Sequence, residues 1–231
     1  MQKLFDRIIK ISIYLLVFLT PLFFLPFSFE VFEYNKQFLL VFMVSLAFFA
    51  WLAKMVVCDK EIRFKRSPLD VFVLAFMGVA ILSAIFSVDK TSSLYGFYGR
   101  FSNGLMGLLS LGIFYFLITN NVTTNSKIQI PNDKSNPKSQ NPNITISGLL
   151  KTFSWSIFFV VLSSYLAIFG IFAKLTSFLF LPKMMASRIF NPTAASLEGL
   201  SIFLAVVAVF LVAKILTAAK GASRSIGIMH A

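Results

Sequence analysis

The sequence predicts an all-α protein, a polytopic bundle of about six transmembrane helices with both termini on the cytoplasmic side. Three observations predict it. The 231 residues are 58% hydrophobic with mean hydropathy +0.83, against an apolar share of roughly 45–50% in soluble domains. Apolar stretches of roughly 20 residues recur, the length that crosses about 30 Å of hydrocarbon at 1.5 Å per residue. Finally, the cations cluster in short connections between those stretches. Together these exclude a soluble globular domain.

The first span is expected at about residues 9–29, after Lys3, Arg7 and Lys10. It resembles a signal peptide only at its basic start, because it is too long, contains Pro21 and Pro26 and lacks a small-residue cleavage site. Retained, it should kink at its prolines, which neighbouring helices tolerate. A second span is expected at about 37–57, ending near the single cysteine, Cys58, which leaves no internal disulfide and no cysteine metal site.

The third span, about 69–87, has a legible start. Ser67 can cap, Pro68 suits the first helical position where its missing N–H costs nothing, and Asp70 favours the helix dipole. A fourth span follows at about 105–119, a fifth at about 148–173 and a sixth at about 197–217. Between the fourth and fifth, residues 120–147 are rich in Asn, Ser, Thr, Lys and Pro and cannot build a core, so they read as a polar cytoplasmic linker. Its two sequons, at Asn121 and Asn143, are what such a composition yields by chance. Residues 1–119 thus form a first group of four spans with an outer loop at 88–104. Residues 148–219 form a second group of two with an outer loop at 174–196, and 220–231 form a short tail that reads as a cut end.

With the N-terminus inside, fifteen of the 21 cations lie on the cytoplasmic side, among them Lys54, Lys60, Arg63, Lys65 and Arg66. That bias selects the N-in, C-in orientation over its inverse. The net charge of +12 is therefore a topology signal rather than a nucleic-acid footprint, since no basic stripe accompanies it.

No Walker motif, HExxH or GxSxG is present, and the single histidine, His230, lies next to the last residue. No catalytic residue, metal ligand or cofactor is assigned. What remains are the two outer loops. The first, SLYGFYGRFSNG over residues 93–104, sets three glycines and four aromatics around Arg100. Gly96 and Gly99 would let backbone approach a ligand, Tyr95 and Tyr98 offer stacking faces to sugars, and Arg100 supplies a fork for phosphate oxygens. The same aromatics also fit an ordinary interfacial belt. The second loop carries Lys183, Arg188 and the turn Asn191-Pro192-Thr193 before a new helix, whose early Glu198 either orients a partner or merely caps and snorkels.

Two cationic, aromatic-rich outer loops suit an anionic lipid headgroup whose tail lies along Phe-rich helices. In TPLFFLPFSFEVFEYNKQFLL, RFKRSPLD, SVDKTSSLYGFYGRFSNG and SRIFNPTAASLEGLSIFLA, the chain resembles the N-terminal half of the O-antigen ligase and polymerase superfamily, from about Thr20 to about Ala213. The resemblance implies a membrane glycosyltransferase of the bacterial inner membrane. Such proteins transfer a polyprenyl-diphosphate-linked glycan to a lipid or glycan acceptor on the periplasmic side, without a metal or nucleotide sugar. It further implies that Arg100 and Arg188 grip the diphosphate, and that a C-terminal half bearing the large periplasmic loop completes the machinery. The rival expectation is a non-catalytic transporter or flippase component for lipid-linked oligosaccharide. Transporters place their broken helices and polar groups near mid-bilayer, whereas the unusual residues here lie at the outer edge.

Overall fold

A computed structural model describes residues 1–25, 32–59, 65–97, 100–123, 144–172, 174, 187, 190–193 and 197–228. Helix α1 (Gln2–Leu19) is followed by α2 (Glu33–Lys54), which continues into a π-helical turn at Met55–Asp59. After them come α3 (Asp70–Ile85), the short α4 (Lys90–Tyr95), a 3-10 turn at Phe101–Asn103 and α5 (Leu105–Asn121). Two-residue strands β1 (Val122–Thr123) and β2 (Ile144–Thr145) pair in parallel, Val122 opposite Ile144, and precede α6 (Ile146–Ile168) and α7 (Leu197–Ile228). The chain divides into two compact units, Met1–Phe159 and Val160–Ala231.

Among the described residues, three helices are long and apolar enough to cross a membrane. They are Glu33–Cys58, Ile146–Ile168 and Glu198–Leu216, with mean hydropathies of 2.2, 1.6 and 2.6. Helices α3 and α5 are apolar but shorter. Helix α3 buries none of its residues and exposes Val71, Phe72, Leu74, Phe76 and Leu82, an apolar surface compatible with a membrane, where a helix pairs its backbone polar groups internally.

The core of the first unit forms where α1 meets α2. Ile9, Ile13 and Leu16 recur at helical spacing along one face of α1, and they pack with Val44, Ala47, Ala50 and Trp51 of α2 and with Leu117 and Ile144. The two alanines bring the backbones close, as small residues do at helix contacts in membranes. At one end of this bundle Lys54 pairs with Asp6 (2.7 Å). The Lys65 N–H donates to Asn120 Oδ1 (2.9 Å), and Tyr115 donates its O–H to Asp70 Oδ1 (3.0 Å) at the same end. At the other end the ring of Tyr34 meets the edge of Phe101, with centroids 5.2 Å apart.

Helix α1 differs from the expected first span at both ends. It starts at Gln2, so Lys3, Arg7 and Lys10 belong to the helix and lie exposed while Ile9 and Ile13 face the core. It stops at Leu19: Thr20 keeps helical dihedrals and its Oγ1 donates to Leu16 O (2.6 Å), but Pro21 has no N–H with which to continue the ladder. Pro26 lies outside the described residues. Helix α3 starts later than expected, with Leu69 rather than Ser67 at the N-cap position; the Asp70 carboxylate reaches back to accept the Ser67 N–H (2.7 Å) and Ser67 Oγ faces the Leu69 N–H (3.5 Å), which caps the turn ahead of the helix. Helix α7 extends through Ile228 into residues expected as tail, and His230 lies outside the described residues. Residues 124–143, with Asn143, likewise lie outside them.

Candidate functional site

The described part of the first outer loop is built from its caps inward. Asp89 accepts the N–H groups of Thr91 and Ser92 at 3.1 and 3.2 Å and the hydroxyl of Ser92, which starts α4. The Ser92 hydroxyl, then the Ser92 and Thr91 amides, hold the Asp89 carboxyl below the ordinary aspartate range. Ser93 donates its hydroxyl to Ser87, tying α4 back to the chain leaving α3. Gly96 ends α4 with φ +88°, a left-handed conformation that favours glycine. Phe97 then pairs with Arg100, whose N–H donates to Phe97 O (2.9 Å), and the 3-10 turn leads to a buried Gly104 at the start of α5.

These elements enclose a cleft of about 350 Å³ at the Tyr34–Phe101 end of the bundle. Arg100, Ser92, Ser93 and Asn103 line it from the loop, and Ser83 and Ala84 line it from the last turns of α3. Phe97 and Leu105 close an apolar side. Arg100 is exposed and brings the one formal charge among these lining residues; among the described residues no carboxylate lines the cleft. The nearby Asp89 spends its oxygens on the α4 cap. The Ser92 and Ser93 hydroxyls are given to Asp89 and Ser87, which leaves the guanidinium, the Ser83 hydroxyl and the Asn103 amide as donors; with an apolar wall beside them they are chemically an anion site that also accepts a greasy group.

Family models, curated proteins and solved structures give no match to this chain.

Of the residues singled out in the sequence, the cleft contains Arg100 and Gly96. Tyr95 sits exposed on the last turn of α4 and is not one of the lining residues; Phe97 is the loop aromatic that lines the cleft. Tyr98, Gly99, Lys183 and Arg188 lie outside the described residues. Glu198 is exposed in the first turn of α7, in the second unit. In that unit the expected Asn-Pro-Thr turn is present. Asn191 is 2% exposed and its Oδ1 accepts the Thr193 hydroxyl (2.7 Å), while Phe190 meets Phe172 edge to face at 5.7 Å.

Sequence reasoning missed Ser83, Ala84 and Asn103. It also missed Asp89, although an Asp before Lys-Thr-Ser is a capping signal. Nothing local marks Ser83 or Ala84, because α3 is apolar around its circumference and its pattern does not say which face turns to α5.

Proposed function

We propose that this protein is a multi-pass, N-in, C-in protein of the bacterial inner membrane that works on polyprenyl-diphosphate-linked glycan in the manner of the O-antigen ligase superfamily. The observation that carries this reading is the placement of Arg100 in a cleft whose described lining holds no carboxylate, at one end of a bundle of apolar helices. The cation bias supports putting the opposite end, with Lys54 and Lys65, in the cytoplasm, so that the cleft faces outward.

The chemistry assigned to the cleft follows from its donors. A sugar hydroxyl attacks the anomeric carbon of the donor glycan, the carbon–oxygen bond to the diphosphate breaks, and negative charge grows on the departing diphosphate oxygen. Arg100 stabilises that charge through paired N–H donors, with the Asn103 side chain lining the same cleft. A volume of about 350 Å³ suits the headgroup, while the prenyl tail extends over the exposed apolar surface of α3. No residue is assigned as the base that accepts the hydroxyl proton.

The test is binding of a lipid-linked diphosphate to the full chain in nanodiscs. Arg100→Ala should weaken it by about 10-fold, the size of one lost charge-assisted hydrogen-bonded contact. Unchanged binding would remove the assigned role.

A further inference from the structure

Glycine in the Arg100 loop reads at first as flexibility, yet the geometry around Gly96 and Gly104 is that of an interlock. A Cβ on Gly104 would stand 2.5 Å from the backbone nitrogen of Gly96 and 2.6 Å from the carbonyl carbon of Tyr95. One on Gly96 would stand 2.7 Å from Phe101 Cα and 2.8 Å from the carbonyl oxygen of Arg100. The obstructing atoms are all backbone, so neither substitution is relieved by rotating a side chain. The end of α4 and the start of α5 are therefore in direct backbone contact, with Arg100 on the short return between them. Phe101 adds a tether by packing against Tyr34 of α2.

From this we infer that Gly96 and Gly104 are positioning residues for Arg100: by lacking Cβ atoms they let the two loop ends interlock, which fixes the guanidinium at the cleft before a ligand arrives. The inference rests on the proposed diphosphate reading. Preorganisation of this kind matters because a charged group held in place gives up little freedom on binding. Displacing its backbone by a fraction of an ångström spoils a paired contact without removing the charge.

A double-mutant cycle on the full chain in phosphatidylcholine nanodiscs separates positioning from general damage, with farnesyl diphosphate as the probe and thermal unfolding recorded for every variant. Gly104→Ala is expected to weaken binding by about 10-fold when Arg100 is present and to have no further effect in the Arg100→Ala background, since a group that acts through Arg100 loses its effect with it. An equal fractional loss in both backgrounds overturns the inference. Gly96→Ala, run in the same two Arg100 backgrounds, provides the second arm and serves if Gly104→Ala does not fold; an equal fractional loss in both backgrounds again overturns the inference. Gly78→Ala, on α3 with open space around its Cβ, should bind as wild type. If instead Arg100→Ala itself binds normally, the diphosphate reading fails, a result distinct from an Arg100-dependent site that ignores both glycines.

Discussion

The ammonium of Lys54, in the last turn of α2, lies 2.7 Å from Oδ1 of Asp6 at the start of α1, with side chains 17% and 7% exposed. The pair fixes the axial register of the two helices at the end where Ile9 meets Trp51 and Met55. Removing one partner strands a charge in a mostly dehydrated place. Asp6→Ala should therefore lower stability by about 3 kcal/mol, whereas Asp6→Leu combined with Lys54→Met should come close to neutral. Unfolding of each variant in mixed micelles checks both. A single variant no worse than the double would show that the pair is screened like a surface bridge.

Asp70 serves two elements at once, accepting the Ser67 N–H on one oxygen and the Tyr115 O–H on the other. Tyr115→Phe removes only the contact between α3 and α5 and should cost about 1.5 kcal/mol. Asp70→Ala removes the cap as well and should cost roughly 1 kcal/mol more. Comparing the two by unfolding tests whether the cap and the interhelix bond are separate contributions.

The Asp89 cap sets a pH dependence on α4. Its carboxyl is depressed by the Ser92 hydroxyl first and then by the amides of Ser92 and Thr91. A group with a depressed folded value contributes stability that is complete above the unfolded value and is lost as pH falls through the folded one. Amide exchange in α4, corrected for intrinsic rate, should thus lose protection on acidification, and Asp89→Asn should flatten the profile. Equal profiles for the two proteins would remove the cap from the account.

At Arg100 the planar fork matters as well as the charge. Arg100→Lys should retain part of the binding to an isoprenyl diphosphate and lose the rest, falling between wild type and Arg100→Ala, because an ammonium cannot reproduce paired donors. Titration of the three proteins decides this, and lysine equal to arginine would reduce the site to a point charge.

Much of the helical organisation was legible because length and hydropathy alone distinguish α2, α6 and α7, and because Ser67-Pro68-Leu69-Asp70 spells a helix start. Helix α1 was misplaced toward its apolar half. Its charged first turns belong to an amphipathic face, and that assignment depends on α2 lying alongside, which no local pattern states. Arg100 stood out as a lone cation among glycines and aromatics. The contributions of Ser83 and Asn103 stayed hidden because they depend on which face of α3 meets α5 and on how the 3-10 turn rolls. The mutual approach of Gly96 and Gly104 has no local signal, because it is a property of two backbone positions brought together rather than of either residue.

The parallel pairing of Val122–Thr123 with Ile144–Thr145 holds the two edges of residues 124–143 side by side, so their separation does not depend on what is spliced between them. A cargo inserted there adds only the slowly growing cost of a longer loop, about 0.6 kcal/mol per doubling of length. The position is a natural docking port for a folded reporter. A fluorescent barrel or a protease tag placed in it would light up, or be cut, from one compartment only, reading out membrane sidedness while leaving the Arg100 end untouched.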